Sequence, residues 1–151
     1  MDETYIKIQG QWRYLYRAVD QEGQTIDFLL TAHRDKQAAL RFFKKTVRQH
    51  SLPEKVTIDK SGANTAALEV LHEETGAKIE IRQNKYLNNR VEQDHRAVKR
   101  IVQSMSGFKS FRSARITLAG IELLHMLKKG QMKTVGGQRL SAAQQFLSLA
   151  A

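Results

Sequence analysis

The spacing of apolar residues is strand-like at first, then helical, then alternates between the two. Thr4-Tyr5-Ile6-Lys7-Ile8-Gln9-Gly10 alternates apolar with polar side chains and is rich in β-branched and aromatic residues, so it reads as a strand. The segment 12–19 reads the same way after a turn at Gly10-Gln11. The segment 25–30 follows Asp20-Gln21-Glu22-Gly23, where glycine supplies the positive φ of a hairpin loop. Three strands joined by short turns predict an antiparallel meander.

From Asp35, a plausible helix N-cap, the period lengthens: Ala39, Phe42, Phe43 and Val47 recur at helical spacing to about His50. Pro53 punctuates the chain, and Lys55-Val56-Thr57-Ile58-Asp59 reads as a short strand ending in an acid. Ser61-Gly62-Ala63-Asn64 reads as a loop and cap. The helix after it turns Ala67, Val70 and Leu71 inward and closes at Gly76. Lys78-Ile79-Glu80-Ile81 is a fifth strand. A polar turn at Lys85-Tyr86-Leu87-Asn88-Asn89 then opens an amphipathic helix. Its polar stripe is Glu92, Arg96, Lys99 and Gln103. Val91, Val98, Ile101 and Met105 are predicted to be buried. Gly107-Phe108-Lys109-Ser110-Phe111 breaks that helix. A last long helix is expected to bury Ile116, Ala119, Leu123 and Leu127 before Gly130. The weakly patterned remainder has room for one short helix near Phe146. The order βββ-α-β-α-β-α-α predicts an α/β fold, a mixed five-stranded sheet with helices on both faces. Residues 1–130 are expected to form the domain and 131–151 a C-terminal tail.

Charge adds a partner class. The 151-residue chain carries a formal charge of +10, an electrostatic case for a polyanion such as nucleic acid. Arg82, Lys85, Arg90, Arg96, Lys99, Arg100, Lys109, Arg112 and Arg115 outnumber Glu92 and Asp94 in one region. That pattern reads as a track for backbone phosphates, salt-dependent and poor in base readout. With no cysteine, disulfides and thiolate metal sites are excluded. No apolar run approaches the roughly 20 residues that span a bilayer. The acidic start lacks a signal peptide's features. A soluble, cytoplasmic protein is expected.

The acids read two ways. Glu92 among cations is either a solvated ion pair with Arg96, worth only about 0.3–0.5 kcal/mol, or a metal ligand beside a nucleic-acid track. Asp59 is either a loop cap or a ligand. Asp2 on its own reads as a frayed terminus. Asp94, two positions from Glu92, faces away and reads as structural or as a support. His95 either orients a phosphate or sits at the core boundary. Asp20 and Asp27 belong to a loop and a strand and receive no catalytic role.

Five ordered blocks change that balance: Asp2-Glu3-Thr4-Tyr5-Ile6-Lys7; Trp12-Arg13-Tyr14-Leu15-Tyr16-Arg17-Ala18-Val19-Asp20; Thr57-Ile58-Asp59-Lys60; Lys85-Tyr86-Leu87-Asn88-Asn89 running into Glu92, Asp94 and His95; and Gly107-Phe108-Lys109-Ser110. Together they resemble the catalytic domain of DDE-type bacterial insertion-sequence transposases, with closest similarity to insertion sequence family six. The resemblance covers nearly the whole chain and implies a ribonuclease-H-like, integrase-core fold. It implies that Asp2, Asp59 and Glu92 are the catalytic carboxylates and hold two Mg²⁺ or Mn²⁺ ions. The implied reaction is cleavage at transposon ends and strand transfer into target DNA. Arg96, Lys99, Arg100, Lys85 and Arg90 would then contact DNA. The implied setting is a homo-oligomer assembled on transposon-end and target DNA, in the bacterial cytoplasm with the nucleoid. Family members carry a helix-turn-helix region ahead of the first aspartate. A truncated form is therefore expected, the alternative being an inactive remnant that binds DNA or co-assembles with full-length transposase.

Overall fold

The computed structural model describes residues 1–83, 89–132 and 140–150. The meander is present as β1 (Asp2–Ile8), β2 (Gln11–Val19) and β3 (Thr25–Thr31), antiparallel in that order. Its first turn lies at Gln9 and Gly10, both at positive φ. At the second, the Asp20 carboxylate accepts the backbone N–H groups of Glu22 and Gln24 at 3.0 and 2.8 Å. Gly23 takes φ 84° there, as the hairpin loop requires. β1 starts earlier than the sequence predicts. Asp2 lies opposite Arg17 in the ladder, so the acid expected to fray is held as a strand residue.

α1 (Lys36–His50) begins where Asp35 accepts the N–H of Ala38 at 2.7 Å, the expected cap. β4 (Lys55–Ile58), α2 (Gly62–Thr75) and β5 (Glu80–Gln83) form a parallel crossover unit. Gly76 ends α2 in the left-handed conformation, its N–H donating to His72 O at 2.9 Å. Two further helices, α3 (Asn89–Gln103) and α4 (Phe111–Lys128), are separated by the Gly107 break, and α5 (Ala142–Ala150) falls near Phe146 as expected.

The hydrogen-bond ladders define two sheets, β1-β2-β3 and β4-β5, where the sequence predicts one of five strands. They meet where the nitrogen of Met1 donates to Thr57 O at 2.8 Å. β4 and β5 have only four residues each, too short to extend a ladder along the whole of β1. Helices do cover both faces. Tyr16 and Ala18 pack with Phe42 and Phe43 of α1 and Leu68 and Leu71 of α2. On the opposite face Ile6, Ile8 and Leu15 pack with Val98 and Val102 of α3 and Leu118 and Ile121 of α4. Consecutive β2 residues thus feed different layers, as the pleat demands.

Two helix faces differ from expectation. α3 buries Val91, His95, Val98 and Val102, whereas Ile101 and Met105 are each 40% exposed. The buried stripe runs through a histidine, which an apolar reading passes over. α4 buries Ala114, Leu118, Ile121, Glu122 and Leu127, while Ile116 faces solvent. Here a carboxylate lies in the buried stripe because it has a buried cationic partner, described below. Among the described residues no helix is long and apolar enough to cross a membrane.

Candidate active site

Strand alternation distributes the acids at the start of β1. Asp2 turns toward α3, its Oδ2 lying 3.8 Å from His95 Nδ1. Glu3 turns the other way, paired with the Arg34 guanidinium and accepting the Asn64 amide at 3.3 Å. Asp59 follows β4 directly, at the point where the Met1–Thr57 contact joins the two sheets. Its Oδ1 accepts Ser61 N–H at 3.1 Å and Asn64 Nδ2 at 3.3 Å. Its Oδ2 lies 3.5 Å from Arg34 Nη2. Asp2, Glu3 and Asp59 each place an oxygen within 4.8 Å of the others.

This cluster is rich in negative charge. Of its three carboxylates, Glu3 and Asp59 pair with the guanidinium of Arg34, and Asp2 lies near the Met1 ammonium, which burial pushes down to about 6. Burial, the Glu3 carboxylate and more weakly Asp59 push the Asp2 carboxyl up to about 6. His95 does not act as a counter-charge. Burial, with Arg17 and Lys99 nearby, pushes it down to about 3, so the ring is neutral at physiological pH. Hard carboxylate oxygens, partly exposed and short of cations, are the donor set of a Mg²⁺ or Mn²⁺ site. The residues present fit such an ion.

Of the residues singled out by sequence, Asp2 and Asp59 are brought together. Glu92 is exposed in the first turn of α3 and is not one of the 4.8 Å group. His95, one turn along the same helix, reaches Asp2. Arg90, Arg96 and Arg100 are exposed and Lys99 is half-buried, all on α3. Lys85 and Tyr86 lie outside the described residues. Sequence reasoning missed Glu3, Arg34 and Asn64. Asn64 is 1% exposed and sits inside α2, with Ser61 at the cap position. Its amide bridges Glu3 and Asp59, holding two like-charged side chains together with a neutral donor.

Asp94 belongs to a different cluster. Arg17, fully buried, donates through Nε and Nη2 to Glu122 at 2.6 and 2.8 Å and through Nη2 to Asp94 at 2.5 Å. His125 Nε2 lies 2.7 Å from Asp94 Oδ1, and Lys129 Nζ donates to the same oxygen at 3.1 Å. Burial pushes the Asp94 carboxyl up, but Arg17 and hydrogen bonds from His125, Lys129 and Arg17 together hold it below the usual range. Asp27 is likewise engaged, by Lys45 and Thr46.

The architecture is that of the retroviral integrase catalytic core. The human T-cell lymphotropic virus 2 integrase core domain, solved with magnesium in a trimeric form, aligns at TM-score 0.62 and 13% identity, over 95% of this chain and 90% of that one. The bovine immunodeficiency virus integrase core aligns at TM-score 0.57 and 13% identity, over 99% and 93%. At such identity the likeness concerns the fold. Sequence narrows it further. A family described as a DDE domain matches residues 1–131. The transposase of the insertion sequence-like element IS431mec of Staphylococcus aureus is 38% identical over 136 residues, 89% of this chain and 59% of that protein. The same figures hold for the transposase of IS257 in transposon Tn4003 of S. aureus. The chain belongs to the DDE-domain family of bacterial insertion-sequence transposases. It spans about 59% of the length of these curated relatives.

Proposed function

We propose that this chain is the catalytic domain of a transposase that cuts DNA at insertion-sequence ends and joins them to target DNA. The observation that carries the reading is the meeting of Asp2 and Asp59 at the junction of β1 and β4, in a DDE-family chain. We read residues 1–130 as the catalytic domain, and the five strands as one continuous sheet with β1 beside β4. The Met1–Thr57 bond supports that order.

Asp2 and Asp59 are the metal-holding pair. Glu92 is the third ligand, supported by the approach of its helix to Asp2 through His95. Glu3 is committed to Arg34 and Asn64 and acts as a brace. Two divalent ions, Mg²⁺ or Mn²⁺, would supply Lewis-acid activation of the attacking oxygen and neutralise charge on the leaving oxygen. The reaction is an in-line displacement at phosphorus. A bond forms from water or a 3′-hydroxyl to phosphorus, the bond to the leaving 3′ oxygen breaks, and the chain forms no covalent intermediate. Arg90, Arg96, Lys99 and Arg100 on α3 hold backbone phosphates beside the acids, and Lys85 joins them on sequence grounds. The magnesium bound by the integrase core above and the simian T-cell lymphotropic virus intasome, which aligns at TM-score 0.62, are consistent with a metal-dependent oligomer on DNA.

The test is strand transfer of pre-cut end DNA with Mn²⁺, using this chain and a form extended to the length of its relatives. Asp59→Ala is expected to cut product formation by more than the roughly 100-fold typical of disturbing a ligand's support, with DNA binding retained. Product at wild-type level from Asp59→Ala would remove the site assignment. DNA binding without product in both unsubstituted forms would leave a DNA-binding remnant.

A further inference from the structure

We propose that the groove between β1 and the C-terminal end of α3 receives one unpaired nucleotide, its base against Trp12 and Tyr5 and its phosphate between Lys7 and Lys99. The inference rests on the DNA reading above. The groove has a volume of about 730 Å³ and is lined by Tyr5, Lys7, Trp12, Lys99, Gln103 and Gly107, among others. Its aromatic wall is unusually open for residues of this size, with Trp12 59% and Tyr5 47% exposed. The two rings meet edge to face at 6.3 Å, and Tyr5 also packs on Tyr14 at 5.4 Å, which fixes the platform from behind. Lys7, directly opposite Trp12 in the ladder, holds its ammonium 6.0 Å from the indole centre.

The floor is fixed by backbone. Gly107 sits at φ +104°, where a Cβ would come within 3.1 Å of Lys7 O. Phe108 N–H donates to that same oxygen at 2.9 Å. Glycine is thus required for the turn after α3 to lie against β1, and this contact closes one end of the groove.

Chemistry selects the occupant. Among the described residues the lining holds two ammonium groups and no carboxylate, which favours an anion over an apolar peptide. Flat exposed aromatic faces beside cations are the arrangement that stacks unpaired bases. Tyr5 also links the groove to the acids by contact: its hydroxyl lies 3.5 Å from Nη1 of Arg34, the arginine paired with Glu3 and Asp59.

Trp12 is the only tryptophan, so its emission reports on this groove alone. The chain is titrated with a blunt duplex and with the same duplex bearing a short single-stranded extension, following tryptophan emission and DNA anisotropy. The extended duplex is expected to quench Trp12 and to bind about tenfold more tightly. Trp12→Ala brings the ratio of the two affinities to about one, and Trp12→Phe restores most of the preference. Equal affinities without quenching, or a preference that survives Trp12→Ala, would overturn the groove. Binding of neither duplex would remove the DNA reading and the groove with it.

Discussion

Two carboxylate clusters flank β1 and β2, and they differ in charge balance and exposure. At one, Asp94 and Glu122 meet Arg17 and Lys129, with His125 adding a further hydrogen-bond partner, all at least four-fifths buried. At the other, Glu3 and Asp59 share the guanidinium of Arg34, Asp2 has beside it only a Met1 ammonium that burial pushes down to about 6, and Asp59 is 35% exposed. The shifts run in opposite directions: burial raises both carboxyls, but Arg17, His125 and Lys129 together hold Asp94 below the usual range, whereas at Asp2 burial and then the Glu3 carboxylate push it up to about 6. A cluster that neutralises itself holds helices to a sheet. A cluster left with excess charge and an opening to solvent attracts a cation. Acids alone do not separate the two; their counter-charges do.

The largest effect expected from this contrast is on stability. Arg17→Ala strands two buried carboxylates, and urea unfolding should show a loss of about 3–5 kcal/mol. A loss below about 1 kcal/mol would mean that Asp94 and Glu122 do not depend on it. At the open cluster the effect moves to metal binding. Asn64→Ala should weaken Mn²⁺ binding by calorimetry roughly 10- to 100-fold, because the amide that orients Asp59 is gone. Unchanged affinity would reduce Asn64 to a packing residue.

The smallest effect is a slope. The folded Asp94 carboxyl lies below its ordinary value of 3.8, so its stabilisation is fully present above that pH. It is lost as pH falls through the folded value. Stability measured against pH should therefore fall less steeply on the acid side in Asp94→Asn than in the parent. Parallel curves would contradict the pairing.

Much of this was legible in the chain. The alternation of Thr4–Gly10 and the helical spacing of Ala39, Phe42 and Phe43 identify elements because burial enforces one period at a time. Asp59 is recognisable as an acid ending a strand. The misplaced stripes of α3 and α4 have one cause. Both run through a polar residue that is buried: Glu122 because Arg17 awaits it across the fold, and His95 as a neutral ring packed against β1 near Asp2. Such partnerships join residues distant in sequence, so periodicity does not register them. Arg34 and Asn64 were missed for the same reason: each reaches Glu3 and Asp59 from a separate element.

The most direct measurement of the central claim is paramagnetic broadening of backbone amide signals by substoichiometric Mn²⁺. The open cluster predicts that amides around Asp2, Glu3 and Asp59 broaden first, together with Arg17, which lies opposite Asp2 in the ladder, and the first turn of α3 at Glu92, while those of Lys128 and Lys129 at the end of α4 broaden last. Loss of that pattern in Asp59→Ala completes the expected result. Broadening centred on Asp94 and Glu122, or spread evenly over the surface acids, would contradict it.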